Sequence, residues 1–287
     1  TDPNNEPCTG NGVLTEPQQP GITDPNGCNT GIPSIPTSPT RITPCERIIT
    51  ENQKAKEYYN KPKFQNRLTE IKGSLPTDTQ EKGFSFGVKD GEEAVTNVII
   101  GASDSISLEV KSSALTIYGA GHTHNKGNPD DLSISSFMDV YFFLQAHNGI
   151  PEINYNGNPD FKYYYTFTHD GNEYVFTITN PTDFKNFLGL YPPNEYANPK
   201  TRMWNEFTEM GKDAELVKRF FIIAKGKSAN ESAENALAFI LTKYNSGIGF
   251  SKKDSNGDFK PIFVKELPDP TNPQSKIYEK TNDCNLK

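Results

Sequence analysis

The chain has 287 residues, a net charge of −7 at pH 7, an isoelectric point near 5.3 and four cysteines. That length is sufficient for one large domain or two modest ones with a sizeable buried core. The acidic balance argues against a nucleic-acid-binding surface, which is normally a basic patch. The sequence contains no run of eighteen apolar residues and therefore predicts no membrane-spanning helix.

The first 44 residues differ in composition from the rest of the chain. They contain nine of its 22 prolines and no aromatic residue. A segment of this kind buries too little apolar surface to offset its chain entropy. The composition therefore predicts a Pro-rich, flexible tether at residues 1–44 and a globular domain at residues 45–287. Because the sequence starts at Thr1 without a basic and apolar leader, we expect a processed form of the protein.

The four cysteines, Cys8, Cys28, Cys45 and Cys284, lie near the two ends of the chain and form no Cys-x-x-Cys pair. This pattern favours disulfides over zinc binding or thiol catalysis, and with them a secreted or cell-surface protein. Of the three possible pairings we favour Cys8 with Cys28 and Cys45 with Cys284, since each bond would fix an otherwise loose terminus. Free thiols in a cytosolic protein are the alternative.

Hydrophobic periodicity predicts both helices and strands in the domain, which indicates an α/β (α+β) fold. Two helices within residues 45–74 are separated by a break at Asn60-Lys61-Pro62. Further helices are predicted at 133–147, 181–190, 201–225 and 229–243. Strands are predicted at 83–89, 95–100, 107–111, 115–122, 162–168 and 174–179. A last hairpin is predicted from 247–252 and 261–266, followed by an extended piece at 276–280.

The main functional signal is a pair of histidines at the end of the predicted strand 115–122. His122 and His124 are separated by one residue. Because side chains alternate along a strand, both imidazoles point to the same side. Asp139, on the following helix, adds a carboxylate. Together these side chains would supply the three protein ligands of one catalytic zinc ion and leave a fourth position for water.

Three short motifs, taken in order, resemble the signature of the JAB/MPN (JAMM) metalloproteases. They are Glu81-Lys82-Gly83 before a strand, His122-Thr123-His124, and Ser136-Phe137-Met138-Asp139 on a helix. The family signature has an upstream Glu, then His-Ser/Thr-His, then Ser-x-x-Asp. The similarity covers about residues 80–145, and the helices around this core look like additions. Pro44-Cys45-Glu46 also resembles the opening of some bacterial secreted or surface proteins.

The resemblance implies a cytidine-deaminase-like JAB/MPN core, with a mixed sheet flanked by helices and with added C-terminal helices and a hairpin. It implies that zinc is bound by His122, His124 and Asp139. Glu81 would act as the general base, and Ser136 would hydrogen-bond the oxyanion.

The function implied by the resemblance is that of a zinc-dependent metallopeptidase or isopeptidase acting on a peptide or protein substrate. Such a protein would be secreted or displayed on a bacterial surface, where a tether to the outer membrane is one arrangement. The alternative is a catalytically silent JAB-like module that binds partners or assembles a cell-surface complex.

The spacing of the third motif departs from the family pattern. Fourteen residues, rather than ten, separate the second histidine from Asp139, so Ser135 occupies the position of the family's acidic ligand. A four-residue extension of the loop 125–132 would explain this difference. Asp130 and Asp131 in that loop are alternative ligands, although their Gly-, Asn- and Pro-rich surroundings are typical of a solvated turn.

Other chemistries fit the sequence less well. Polynuclear phosphoesterases and amidohydrolase barrels also use His-x-His but need further histidines, and the remaining two, His147 and His169, lie at a predicted helix end and beside a turn. No Gly-x-Ser-x-Gly motif indicates a serine hydrolase. The acidic stretch 254–258 resembles a calcium loop, but Lys265 stands where such a loop has its final Glu.

The proposed site residues also have structural explanations. Ser136 can be a helix N-cap, Asp139 a favourable acid in a first helical turn, and Glu81 a surface carboxylate. Trp204, the chain's single tryptophan, is expected to belong to the core rather than to a substrate site.

Overall fold

The computed structural model describes residues 43–126, 133–198 and 200–282. The predicted tether lies almost entirely outside these ranges, so the division of the chain at residue 45 stays a prediction. Cys45 lies in the first turn of a helix and is not a free thiol. Both predicted disulfide pairings stay predictions, because Cys8, Cys28 and Cys284 lie outside the described residues.

Helices and strands occur in groups along the described part of the chain. The helices are α1 (Pro44–Tyr59), α2 (Pro62–Lys72), α3 (Phe137–Asn148), α4 (Pro181–Leu190), α5 (Pro193–Tyr196), α6 (Glu209–Ile223) and α7 (Ala229–Lys243). The strands are β1 (Lys82–Lys89), β2 (Glu92–Val95), β3 (Ile99–Ile100), β4 (Thr116–His124), β5 (Gly149–Ile150), β6 (Tyr155–Asn156), β7 (Tyr163–Thr168), β8 (Glu173–Ile178), β9 (Ile248–Lys253), β10 (Phe259–Pro261), β11 (Phe263–Asp269) and β12 (Asn272–Thr281). None of these helices is long and apolar enough to cross a bilayer.

The central sheet has eight strands in the order β10-β9-β8-β7-β4-β1-β2, with β3 also paired to β1. Strands β4 and β7 are parallel, whereas the other neighbouring strands are antiparallel. A parallel pair needs a crossover, and α3 lies in the segment that connects β4 to β7. The predicted α/β fold, with a mixed sheet flanked by helices, is therefore confirmed.

Aromatic side chains pack on both faces of this sheet. On one face, Phe64 of α2 contacts Phe84 of β1 and Tyr165 of β7, with ring centroids 5.0 and 5.2 Å apart. On the other face, Phe143 of α3 stacks on Tyr164 at 6.3 Å. A strand covered by helices on both faces is apolar at successive positions rather than at alternate ones. This burial explains the run of consecutive tyrosines in β7.

Two predicted strands are wrong in whole or in part. Residues 95–100 form no continuous strand, because β2 ends at Val95, β3 is Ile99–Ile100 and residues 96–98 between them form no strand. Residues 107–111 form no strand, although Val110 is buried there. Carbonyl groups of this segment accept hydrogen bonds from side chains: the Ser85 hydroxyl donates to the Glu109 carbonyl at 2.5 Å, and the Asn158 amide donates to the Val110 carbonyl at 2.9 Å. The alternating pattern thus marked a segment that buries Leu108 and Val110, not a strand in a sheet.

The predicted C-terminal hairpin is also wrong in its pairing. Strand β9 pairs with the short β10, and β11 pairs with β12 in a separate two-stranded sheet. Gly257, with φ of 83°, lies in the turn between β9 and β10. Strand β9 therefore forms its hairpin with residues 259–261. The chain leaves the central sheet after these residues, earlier than the apolar pattern predicts.

Two predicted helices begin later than expected. Helix α3 begins at Phe137 because Ser136 adopts an extended backbone and caps it. Helix α6 begins at Glu209, where the Thr208 hydroxyl accepts a hydrogen bond from the Gly211 N–H at 3.0 Å. The segment before α6 is consequently a loop.

A buried carboxylate joins α7 to both sheets. Glu234 is 1% exposed, and its oxygens accept hydrogen bonds from Lys252 at 2.9 Å, Lys280 at 2.6 Å and the Tyr174 hydroxyl at 2.8 Å. We expect Glu234→Gln to lower the free energy of unfolding by about 2–3 kcal/mol at pH 7, because both lysines lose their buried counter-charge. Urea denaturation measures this difference.

The effect of Glu234 depends on pH. Burial opposes its ionisation, but the two ammonium groups outweigh burial and hold the pKa of Glu234 below its ordinary value. The carboxylate therefore stabilises the fold above its unfolded pKa of about 4.3, and this contribution is lost as the pH falls through the folded pKa. Glu209→Gln, whose side chain is 84% exposed, should change stability by less than about 0.5 kcal/mol. An equally small change for Glu234→Gln at pH 7 would contradict the prediction.

Candidate metal centre

The site lies where β1, β4 and β7 run side by side. His122 and His124 lie at the C-terminal end of β4, which pairs with β1 on one side and β7 on the other. Gly83 of β1 is directly opposite His122. A Cβ atom at Gly83 would lie 2.7 Å from the Gly121 carbonyl oxygen and 2.7 Å from a methyl carbon of Leu108. Glycine at this position therefore permits the close packing of β1 beside the first histidine.

The three predicted ligands converge. His122 Nε2 lies 2.9 Å from His124 Nε2, and each of these nitrogens lies 3.2 Å from one oxygen of Asp139. Ligands held about 2.0–2.1 Å from a tetrahedral zinc ion would be about 3.3 Å from one another. This buried group could therefore bind a metal ion, and its ligand separations fit a tetrahedral site.

Outer contacts orient both imidazoles. His122 Nδ1 lies 3.2 Å from the Tyr165 carbonyl oxygen, and its ring stacks on Tyr164 at a centroid distance of 5.0 Å. A hydrogen bond donated by Nδ1 leaves the lone pair of Nε2 free to bind a metal. His124 makes a backbone hydrogen bond with Ile134. Two of the three ligands are thus fixed by contacts outside the ligand set.

The start of α3 fixes the third ligand. Asp139 accepts a hydrogen bond from the Ser136 backbone N–H at 2.6 Å, while its own N–H donates to the Ser136 hydroxyl at 3.1 Å. This reciprocal pair is a capping box. Tyr164 also hydrogen-bonds the Asp139 carboxylate. Burial opposes the ionisation of Asp139, but the imidazoles of His122 and His124 outweigh burial and hold its pKa well below the usual range.

Charge in the site favours a bound cation. Burial disfavours the imidazolium form of His124, but the Asp139 carboxylate outweighs burial and raises the pKa of His124 to about 8. A metal ion bound between the carboxylate and the imidazoles would take the place of such a proton.

Glu81 immediately precedes β1, and its backbone is fixed on both sides. Its N–H donates to the Ala102 carbonyl and its carbonyl accepts from the Gly101 N–H, both at 2.8 Å. The next N–H, that of Lys82, donates to the hydroxyl of Thr123 at 2.9 Å. Since Thr123 lies between the two histidines, this bond joins the segment of Glu81 to the metal site.

The Glu81 side chain is buried rather than a surface carboxylate. The residue is 6% exposed. Burial raises the pKa of the Glu81 carboxyl, and the nearby imidazoles of His122 and His124 oppose part of that rise. A carboxyl group whose pKa is moved toward neutrality beside a metal site has the properties required of a general base.

Ser136 has the structural role considered above. Its hydroxyl oxygen is the N-cap of α3. Its hydroxyl proton has no acceptor in the part of the chain that the structure describes, and the residue borders a cavity. The proton is therefore available to a ligand. Ser135, in contrast, is buried and donates to the Thr166 hydroxyl at 2.8 Å, which excludes it from the site. Asp130 and Asp131 lie outside the described residues.

A cavity of about 390 Å³ opens beside Asp139. Glu81, Ser136 and Asp139 form part of its wall. The rest of the cavity wall consists of side chains that the sequence did not predict as site residues. They are Asp104, Ser105, Ile106, Met138, Tyr141, Phe142, Gln145, Tyr164, Pro193 and Arg202. The sequence contains a signal for part of this wall, because the spacing of Met138, Phe142 and Gln145 places these three side chains on one face of α3. No comparable signal marks Tyr164 or Arg202.

The other two histidines do not join the site. His147 Nδ1 lies 3.0 Å from the Phe161 carbonyl oxygen, and burial lowers the pKa of His147. His169 lies 3.0 Å from the Ser133 hydroxyl. Within the described ranges, His122, His124 and Asp139 are the one group of three side chains placed to bind a metal. This geometry fits a mononuclear site.

No known family model, curated protein or solved structure matches the chain.

Proposed function

We propose that the protein is a zinc-dependent hydrolase of the JAB type that cleaves a peptide or isopeptide bond. The observation that carries this proposal is the convergence of His122, His124 and Asp139, with 2.9–3.2 Å between their ligand atoms, in a site next to the buried Glu81. The order of parts also supports it: an acid before β1, two histidines at the end of β4, and Ser-x-x-Asp at the start of α3. On this proposal residues 80–145 form a cytidine-deaminase-like JAB/MPN core.

The donor set favours zinc. Two imidazole nitrogens and one carboxylate oxygen are ligands that catalytic zinc sites use, whereas magnesium and calcium prefer oxygen alone. Three protein ligands leave a further position for water or substrate. The cavity beside Asp139 would give that position space.

The roles of the protein groups follow from their positions. Zinc in this site would act as a Lewis acid on the scissile carbonyl and lower the pKa of a water molecule toward neutrality. The Glu81 carboxylate would accept a proton from the attacking water and return it to the leaving amine. The Ser136 hydroxyl would donate a hydrogen bond to the carbonyl oxygen as negative charge develops. Tyr164 would hold Asp139 in its ligating orientation.

We also propose that the protein is secreted or displayed on a bacterial surface. This rests on the cysteine pattern and on the Pro-rich composition of residues 1–44. A surface setting suits a hydrolase and a silent assembly module equally, so the distinction between them comes from metal content and cleavage.

Metal analysis tests the proposal directly. Wild-type protein purified without chelator should contain about one zinc ion per chain, and the double variant His122→Ala/His124→Ala should contain none, because one carboxylate cannot hold the ion alone. His147→Ala, which removes a half-buried histidine elsewhere, should keep the zinc. Zinc-free wild-type protein would rule out the site. Zinc-loaded protein that cleaves no member of a peptide library would be the silent binding module.

A further inference from the structure

Among the described residues, Arg202 is the one cationic side chain in the wall of the cavity beside Asp139. Its guanidinium lies 3.8 Å from an oxygen of Glu81 and 3.7 Å from an oxygen of Asp104. Both separations exceed hydrogen-bonding distance. A guanidinium has five N–H donors, and those of Arg202 make no hydrogen bond with any residue in 43–126, 133–198 or 200–282. Its N–H donors are therefore unoccupied within these ranges, while its charge is shared with two nearby carboxylates.

The loop that carries Arg202 is fixed to the helix that carries Asp139. Trp204 is 5% exposed and packs against Phe137, the first residue of α3. The Arg202 N–H donates to the Asn198 carbonyl at 2.8 Å. The backbone of Arg202 has a φ of 56°, a left-handed conformation that is uncommon for a residue with a side chain. The lone tryptophan thus belongs to the core, as expected, and also positions a cavity residue.

We propose that Arg202 binds a carboxylate group of the substrate, beside the bond that is cleaved. The planar fork of a guanidinium matches the two oxygens of a carboxylate, which makes arginine well suited to recognise that group. The inference rests on the proposed function, because it names the substrate class of the same site. The carboxylate can belong to a free C-terminus or to an acidic side chain.

Asp104 marks the position that the substrate would take. Its side chain is 61% exposed, whereas that of Glu81 is 8% exposed. An exposed ion pair contributes little, so an incoming carboxylate displaces Asp104 and leaves Glu81 in place. Asp139 and Arg202 both line this cavity.

The rest of the wall indicates what accompanies the carboxylate. Ile106, Met138, Phe142 and Pro193 provide apolar surface. A cavity of about 390 Å³ is at the small end of the range of about 300–1,000 Å³ for small-molecule sites. The geometry therefore fits a short substrate segment that has an apolar group next to its carboxylate.

Binding of two matched probes tests the inference. N-acetyl-phenylalanine carries the free carboxylate, and N-acetyl-phenylalaninamide is the uncharged control. Calorimetry on the purified protein, with and without added zinc, should show at least about tenfold tighter binding of the acid. Arg202→Gln should abolish this preference, and Arg202→Lys should restore part of it. Asp104→Asn should tighten binding of the acid alone, because it removes a competing carboxylate.

Opposite changes in Arg202→Gln and Asp104→Asn separate recognition from misfolding, and unchanged binding of the amide confirms an intact cavity. An acid preference that Arg202→Gln leaves unchanged would overturn the inference, since the acid would then bind the metal alone. Equal binding of acid and amide by the wild type, together with equal binding of the internal Glu and Gln probes described next, would overturn it as well.

A second pair of probes, blocked at both ends and differing by an internal Glu or Gln, identifies the source of the carboxylate. Preference in the first pair alone indicates a C-terminus, and preference in the second pair indicates an acidic side chain. Zinc content and cleavage report separately on the hydrolase. An Arg202-dependent acid preference in protein that neither holds zinc nor cleaves would refute the hydrolase and retain the carboxylate site. Zinc-dependent cleavage without an acid preference would support the hydrolase and refute the carboxylate site.

Discussion

Glu81→Gln is expected to keep about one zinc ion per chain and to lower kcat/KM for a cleaved peptide by about 10²–10⁴-fold. Glutamine preserves the size and hydrogen-bonding oxygen of the side chain but cannot accept a proton from water. The residue is 6% exposed and its backbone is fixed by Gly101 and Ala102, so the substitution should not move the segment. Steady-state kinetics together with metal analysis of the same sample measure both quantities.

Glu92→Gln is the matched control, because it makes the same chemical change at an exposed position of β2. It should retain the wild-type kcat/KM. An unchanged rate in zinc-loaded Glu81→Gln would show that another group accepts the proton. Loss of zinc together with the rate would place Glu81 among the metal ligands instead.

Local chemistry explains which parts of this site the sequence predicts. The alternation of side chains along β4 is a property of the backbone, so His122 and His124 share one side wherever the strand lies. The break before Pro62 follows from that proline, and the start of α4 follows from Pro181 and the N-cap Asn180. These signals lie within or next to the helix that they define. The convergence of Asp139 on the histidines requires only that α3 follow β4 and pack on the same face of the sheet.

Long-range contacts explain what the sequence does not predict. Arg202 reaches the cavity because Trp204 packs on α3, a contact between residues far apart in the chain. Tyr164 is one of three adjacent tyrosines, and only the register of β7 beside β4 shows which of them faces the site. The segment 107–111 has a strand-like pattern, but its carbonyls are satisfied by side chains from elsewhere. Each of these features depends on contacts with residues that are distant in the chain, which no local sequence pattern predicts.

The capping and metal-binding explanations of Ser136 and Asp139 are compatible. One oxygen of Asp139 accepts from the Ser136 N–H while both oxygens face the histidines. The cap fixes the carboxylate before any ion arrives. A residue that caps the start of a helix can thus also serve as a preorganised metal ligand.

Asp139→Asn should separate these two roles. The asparagine oxygen can still accept from the Ser136 N–H, so α3 should remain capped and the circular dichroism spectrum should not change. The ligand loses its negative charge, and zinc affinity should fall by more than the 10–100-fold that loss of an outer partner typically costs. Competition with a chromophoric chelator measures the affinity of the wild type and the variant.

Asp183→Asn is the control for the cap. Asp183 occupies the same third position of α4 that Asp139 occupies in α3, and it also hydrogen-bonds its N-cap residue, Asn180. This variant should match Asp139→Asn in its effect on helix capping and keep the zinc affinity of the wild type. Equal zinc affinity in Asp139→Asn and Asp183→Asn would mean that the carboxylate only caps its helix. The two histidines would then need a third ligand from elsewhere in the chain.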